Sequence, residues 1–72
     1  MSTAVGFDYS KLKGRIIEKY GTQGRFAEAL GVSMNAVSKK LNARTSFDKK
    51  EILVWAALLD IKQDEIGVYF FA

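Results

Sequence analysis

Thr22–Asn42 reads TQGRFAEALGVSMNAVSKKLN, and its pattern decides the fold. The Thr22 hydroxyl can cap a helix N-terminus. Phe26, Ala27 and Leu30 then fall at helical spacing and share one face. Gly31 follows at once, where a left-handed residue commonly ends a helix. Val32 is apolar and is expected to tuck under the turn. Ser33 can cap a second helix, in which Val37 and Leu41 make an inward i, i+4 pair. Two helices on so short a link must cross steeply, which suits a helix-turn-helix. Ala27 fits that geometry, because a larger side chain would push the second helix away. A plain helical hairpin explains Gly31 but not the joint spacing of Ala27, Gly31 and Val37.

Working outward, residues 1–6 are expected to be loose. Asp8 or Ser10 can cap a first helix that runs to about Tyr20, with Gly21 as its stop. Leu12, Ile16 and Tyr20 form its apolar stripe, widened by Ile17. Lys11, Arg15 and Lys19 form a basic stripe, either a solvated face or a phosphate-facing one. On the C-terminal side, Ala43 to Phe47 reads as a loop. Asp48-Lys-Lys-Glu51 is a capping-box start for a fourth helix, with Asp in place of Ser or Thr. That helix continues from Ile52 to Leu59 without one polar residue, and Asp60 should break it. Asp64 and Glu65 open a last short helix, where acidic residues complement the dipole, and Ile66, Tyr69 and Phe70 share its inner face. The expected architecture is all-α, a single domain over 1–72 with five helices, the helix-turn-helix being the second and third.

Composition limits the chemistry. The chain has 72 residues and no proline, cysteine or histidine. Without cysteine there is no disulfide framework and no thiolate metal site. Without histidine or cysteine the usual bases and nucleophiles are missing, and no glycine-rich phosphate loop follows a strand. Ser10 and Lys13 spell Ser-x-x-Lys, but the partner motifs of acyl-serine enzymes are missing and there is no room for a substrate cleft. Asp60, Asp64 and Glu65 cluster in sequence, which helix capping explains more simply than a metal. No enzyme activity, cofactor or small-molecule substrate is therefore expected. No apolar run reaches the ~18 residues of a membrane span, and the N-terminus has no signal-peptide pattern, so a cytoplasmic place is expected. Net charge is +3, unevenly spread: residues 1–50 hold ten Lys/Arg and four Asp/Glu, and residues 51–72 hold one Lys and four Asp/Glu. A basic body with an acidic end suggests a polyanion or an acidic partner on one side.

Gln23, Ala27, Leu30, Gly31, Val32, Ser33, Val37, Leu41 and Asn42 resemble the helix-turn-helix of the Cro and phage-repressor family. With FDYSKLKGRI near the start and EIGVYFFA at the end, the chain is similar to the short Cro-like modulator-of-repression (antirepressor) proteins of lactococcal temperate phages. The resemblance implies a lambda-repressor-like bundle whose third helix enters the major groove. On that reading Asn35 can meet adenine and Lys39 guanine, flanked by Ala36 and Ser38, with Ser33 and Met34 at the start of the helix. Gln23 sits where the family touches a phosphate at a helix N-terminus, and Lys40, Asn42 and Arg44 are candidates for phosphate contacts. Two departures weaken base readout. Met34 replaces the base-reading glutamine of better-known phage repressors, and Lys40 stands at a site usually apolar in the family.

The apolar fourth helix points instead to a protein surface. A helix apolar all round is normally buried all round, which so small a domain cannot easily achieve. Ile52, Leu53, Ala56 and Leu59 are expected in the core. Val54, Trp55 and Leu58, with Phe71 near the terminus, are expected to be spare. Asp48, Glu51, Asp60, Asp64 and Glu65 would give that surface a charged rim. The resemblance implies a regulator of the lysis–lysogeny switch inside the host bacterium, an antirepressor that binds the DNA-binding domain of the phage repressor. The other reading is a Cro-type homodimer that binds operator DNA.

Overall fold

The computed structural model describes residues 9–42 and 46–71. The described residues form five α-helices: α1 (Ser10–Tyr20), α2 (Gln23–Leu30), α3 (Met34–Leu41), α4 (Lys49–Leu58) and α5 (Ile66–Phe70), with a 3₁₀ turn over Gln63–Glu65 leading into α5. No strand occurs among them. They share one core, in which Leu12, Ile16, Phe26, Val37 and Leu59 are wholly buried.

The central motif forms as its residues dictate. Thr22 Oγ1 accepts the Arg25 N–H at 3.0 Å, and Ser33 Oγ accepts the Ala36 N–H at 3.1 Å. Each satisfies a donor that the first turn of its helix would otherwise leave open. Gly31 is left-handed at φ 79°. Its N–H donates to Ala27 O at 2.9 Å, and the Val32 N–H reaches the same carbonyl at 3.1 Å. The paired bonds make a Schellman-type stop. Val32 itself does not tuck under the turn; it is 47% exposed, because this stop aims it outward beside α3. A branched residue is strained in the left-handed region. Gly31→Val should therefore lower stability by more than ~1 kcal/mol, read as a lower midpoint in thermal or urea unfolding.

At α1 the structure corrects two expectations. The helix starts at Ser10, with Tyr9 at the N-cap position; Asp8 lies outside the described residues. The Tyr9 ring meets Phe47 edge-on at 5.6 Å between centroids, which packs the start of α1 against the residues leading into α4. Ile17 does not widen the buried stripe, being 49% exposed, since Leu12, Ile16 and Tyr20 already meet the neighbouring helices.

Helix α4 opens with the capping box. Asp48 Oδ1 accepts the Glu51 N–H at 2.8 Å, and Glu51 Oε1 accepts the Asp48 N–H at 3.0 Å. Its buried face is Ile52, Trp55 and Ala56, continued by Leu59. This is the i, i+3, i+4, i+7 set of an amphipathic helix. Trp55 is thus a core residue at 4% exposure, and Leu53 is a surface residue at 51%, the reverse of what the apolar run suggested. With ~100° per residue, Trp55 projects on the same side as Ile52 and Ala56, while Leu53 and Val54 turn away. Trp55 stands between Phe26 and Phe47, edge-on to each with ring centroids 4.8 Å apart. Phe47 continues to Phe70 at 5.1 Å. A loop phenylalanine therefore ties α1, α4 and α5 together.

The C-terminal end of α4 is held by α1. Tyr20 Oη donates to Leu58 O at 3.1 Å, Arg15 Nε to Leu59 O at 2.8 Å, and Arg15 Nη2 to Asp60 O at 3.2 Å. These carbonyls have no partner further along α4, and the cation of Arg15 also suits the negative end of the helix dipole. Asp60 breaks the helix as expected, in a left-handed conformation at φ 54°. Ile61 turns into the core, and Ile66, Tyr69 and Phe70 of α5 pack on it.

Candidate functional site

Helix α3 presents Asn35 and Lys39 to solvent, with Ala36 and Ser38 half-buried between them. Val37 and Leu41 hold the opposite face in the core, so the orientation needed for groove entry exists. Several neighbours are otherwise engaged. The Ser33 hydroxyl is the α3 cap. Asn42 Nδ2 turns back to Ser38 Oγ at 3.4 Å. Gln23 is half-buried in the first turn of α2. Met34, 59% exposed, lies across the start of α2, its sulfur 3.6 Å from where a Cβ on Gly24 would stand. A thioether here offers apolar contact where a base-reading amide would offer two hydrogen bonds.

Lys40, a candidate for phosphate contact, is engaged within the chain. Its ammonium donates to Ser46 O at 2.6 Å and Glu51 Oε1 at 2.7 Å, and lies 5.5 Å from the centroid of the Phe47 ring. The Lys40 charge thus sits over the Phe47 ring and reaches the capping box of α4. Arg44 lies outside the described residues.

The acidic candidates divide in the same way. Asp48 and Glu51 are committed to the α4 capping box, and Glu51 also holds Lys40. Asp60 pairs with Lys19. The Lys19 hydrogen bond and its charge hold the Asp60 carboxyl below the usual carboxylate range, with Arg15 adding to the effect. The basic stripe of α1 is accordingly spent largely inside the molecule, Arg15 and Lys19 on the end of α4 and Lys11 to solvent. Burial raises the Tyr9 phenol above its ordinary pKa, against the lowering effect of the Lys40 charge. Asp64 and Glu65 stay exposed in the 3₁₀ turn, where Glu65 Oε1 accepts the Lys62 N–H at 3.2 Å.

Two apolar depressions flank α4. One, of about 210 Å³, lies between the α2–α3 turn and α4, over Leu30, Val37 and Trp55, with Val32 and Val54 at its rim. The other, of about 540 Å³, lies between α4 and α5, lined by Phe47, Lys49, Ile52, Leu53, Gln63, Ile66, Gly67 and Phe71. Of the spare apolar candidates, Val54 and Phe71 are exposed, Leu58 is half-buried, and Trp55 is withdrawn into the core. The second depression gathers Phe71 with two residues that sequence reasoning did not assign to a surface, Leu53 and Gly67. The helical wheel of α4 carries the signal for Leu53; for Gly67 only the fold does, by setting α5 beside α4.

A small all-helical domain with a helix-turn-helix and an apolar, partly acidic flank has the make-up of a gene-regulatory module. The chain belongs to the DUF739 family, described as a protein of unknown function, whose model matches residues 5–72. Its structure is similar to the solution structure of the modulator of repression (MOR) of the temperate bacteriophage TP901-1 from Lactococcus lactis. Sequence identity is 42% and the TM-score 0.82, over 96% of this chain and 93% of that one. Comparison with curated protein sequences gives no match. The all-α, five-helix architecture read from the sequence is the one found.

Proposed function

We propose that this chain is a modulator of repression, an antirepressor in a temperate phage's lysis–lysogeny switch, which binds the phage repressor on its DNA-binding domain. The observation that carries this reading is the 42% identity to the TP901-1 modulator over nearly the whole of both chains. The surface chemistry agrees with it. Met34 supplies an apolar contact at the start of α3, and Lys40 is held by Glu51 rather than presented to a phosphate. A repressor's DNA-binding face must be basic. Exposed Asp64 and Glu65, with exposed Phe71 on the same C-terminal segment, offer acidic and apolar groups of the kind that make up a specific interface. The modulator acts inside the host bacterium, where repressor and operator meet. It needs no catalytic group or cofactor.

The exposed Asn35 and Lys39 on α3 favour a second reading, a Cro-type homodimer on operator DNA. One experiment separates the two. Repressor bound to labelled operator is titrated with the chain in a gel shift, and the two proteins are mixed and run on a sizing column. The antirepressor releases operator DNA and co-elutes with repressor as a 1:1 complex. Separate elution at tens of micromolar, with a shift of operator by the chain alone, would establish the operator binder instead.

A further inference from the structure

The sulfur of this chain is confined to Met1 and Met34, since it has no cysteine. Met1 lies outside the described residues. Met34 opens α3 and is 59% exposed. It takes no part in the core and lines neither apolar depression. Its sulfur lies beside Gly24 of α2, 3.6 Å from where a Cβ would stand, while Val37 and Leu41 of the same helix hold the core. The thioether is therefore open to a dissolved oxidant. Oxidation to the sulfoxide turns a flexible apolar side chain into a polar one.

The step moves one oxygen atom. A sulfur lone pair attacks an oxygen of hydrogen peroxide, the O–O bond breaks as the S–O bond forms, and a proton shifts so that water leaves. Sulfur is oxidised and the peroxide is reduced. In the free chain water solvates the new S–O dipole, so the fold bears no cost. Against an apolar partner surface the oxygen loses that water, and a polar group buried without a hydrogen bond is costly. The penalty falls on the complex alone. We propose that Met34 is a redox-sensitive modification site, at which peroxide converts the thioether to a sulfoxide and so weakens binding to the repressor. The proposal rests on the antirepressor reading, in which Met34 is an apolar contact, and adds a control to it.

The test treats the purified full chain with hydrogen peroxide, removes the peroxide, and measures affinity for untreated full-length phage repressor by titration calorimetry. Peptide mass spectrometry locates the added oxygen, and circular dichroism follows the fold. Met34 should gain one oxygen and repressor affinity should fall roughly tenfold, with spectrum and melting temperature retained. Methionine sulfoxide reductases of both epimer specificities should restore the affinity. Met34→Leu should bind within about twofold of the original chain and keep that affinity through peroxide. Met34→Gln, polar and of similar length, should bind as weakly as the oxidised chain without any treatment. A folded, oxidised chain that binds repressor as before, or a Met34 left unoxidised, would overturn the proposal and leave the antirepressor reading standing. So would a loss that Met34→Leu shares under peroxide, or one that comes with unfolding. If Met34→Leu already binds poorly, recovery of affinity in step with removal of the Met34 oxygen decides. An untreated chain that fails to bind repressor would overturn both readings.

Discussion

Trp55→Ala should destabilise the domain by about 3–5 kcal/mol. The side chain is 4% exposed and stands edge-on to both Phe26 and Phe47. Its loss removes a large buried apolar area and two favourable ring contacts. The remaining helices cannot collapse into the space easily, because Phe47 is also braced by Phe70 and Tyr9. For a chain of this length total stability is on the order of 4–10 kcal/mol. The variant should therefore be largely unfolded near physiological temperature, with weak near-ultraviolet circular dichroism and a low urea midpoint. Any loss of partner binding would follow from that unfolding. A Trp55→Ala chain that melts like the original would contradict the core described here and return Trp55 to the surface.

Ala27→Leu should be the next most damaging change, at about 1–3 kcal/mol. Ala27 is 2% exposed in the core where α2 and α3 meet, and its carbonyl accepts both bonds of the Gly31 stop. Three further carbons would force the two helices apart and disturb that stop. Overpacking differs from cavity formation because no neighbour can relax inward to absorb it. Urea unfolding measures the loss. Amide exchange at Gly31 and Val32 should quicken beyond the global change if the turn opens first. Unchanged exchange there, with full stability, would mean that the helices have room to spare at Ala27.

The two substitutions differ in how far the sequence announces them. The place of Ala27 is legible because its partners are close in the chain: Thr22, Gly31, Ser33 and Val37 fix two caps, a stop and a facing stripe within a few turns. The same holds for the α4 capping box at Asp48 and Glu51, and for the end of α1 at Gly21. Trp55 is harder. Along Ile52–Leu59 every residue is apolar, so hydropathy has no contrast from which to choose a face. The choice was made by Phe26 and Phe47, which accept Trp55 edge-on and leave Leu53 outside.

The charged residues show the same division. Composition sets a basic body and an acidic end, but not which charges are free. Lys40 and Lys39 are adjacent in sequence, yet one closes onto Glu51 while the other faces solvent. Arg15 and Lys19 look like a phosphate-facing stripe until the end of α4 arrives, tens of residues later in the chain, where Arg15 meets two backbone carbonyls and Lys19 the Asp60 carboxylate. By itself the sequence determined the five helices of the described residues, the caps of α2, α3 and α4, the stops at Gly21, Gly31 and Asp60, and the helix-turn-helix, because those depend on backbone hydrogen bonds and side chains within one or two turns. Only the tertiary structure decided which face of α4 is buried, which cations are occupied, and that Leu53, Gly67 and Phe71 border one groove. Those outcomes depend on contacts between residues distant in the chain, where packing shape and the pairing of charges select among arrangements that local pattern leaves equivalent.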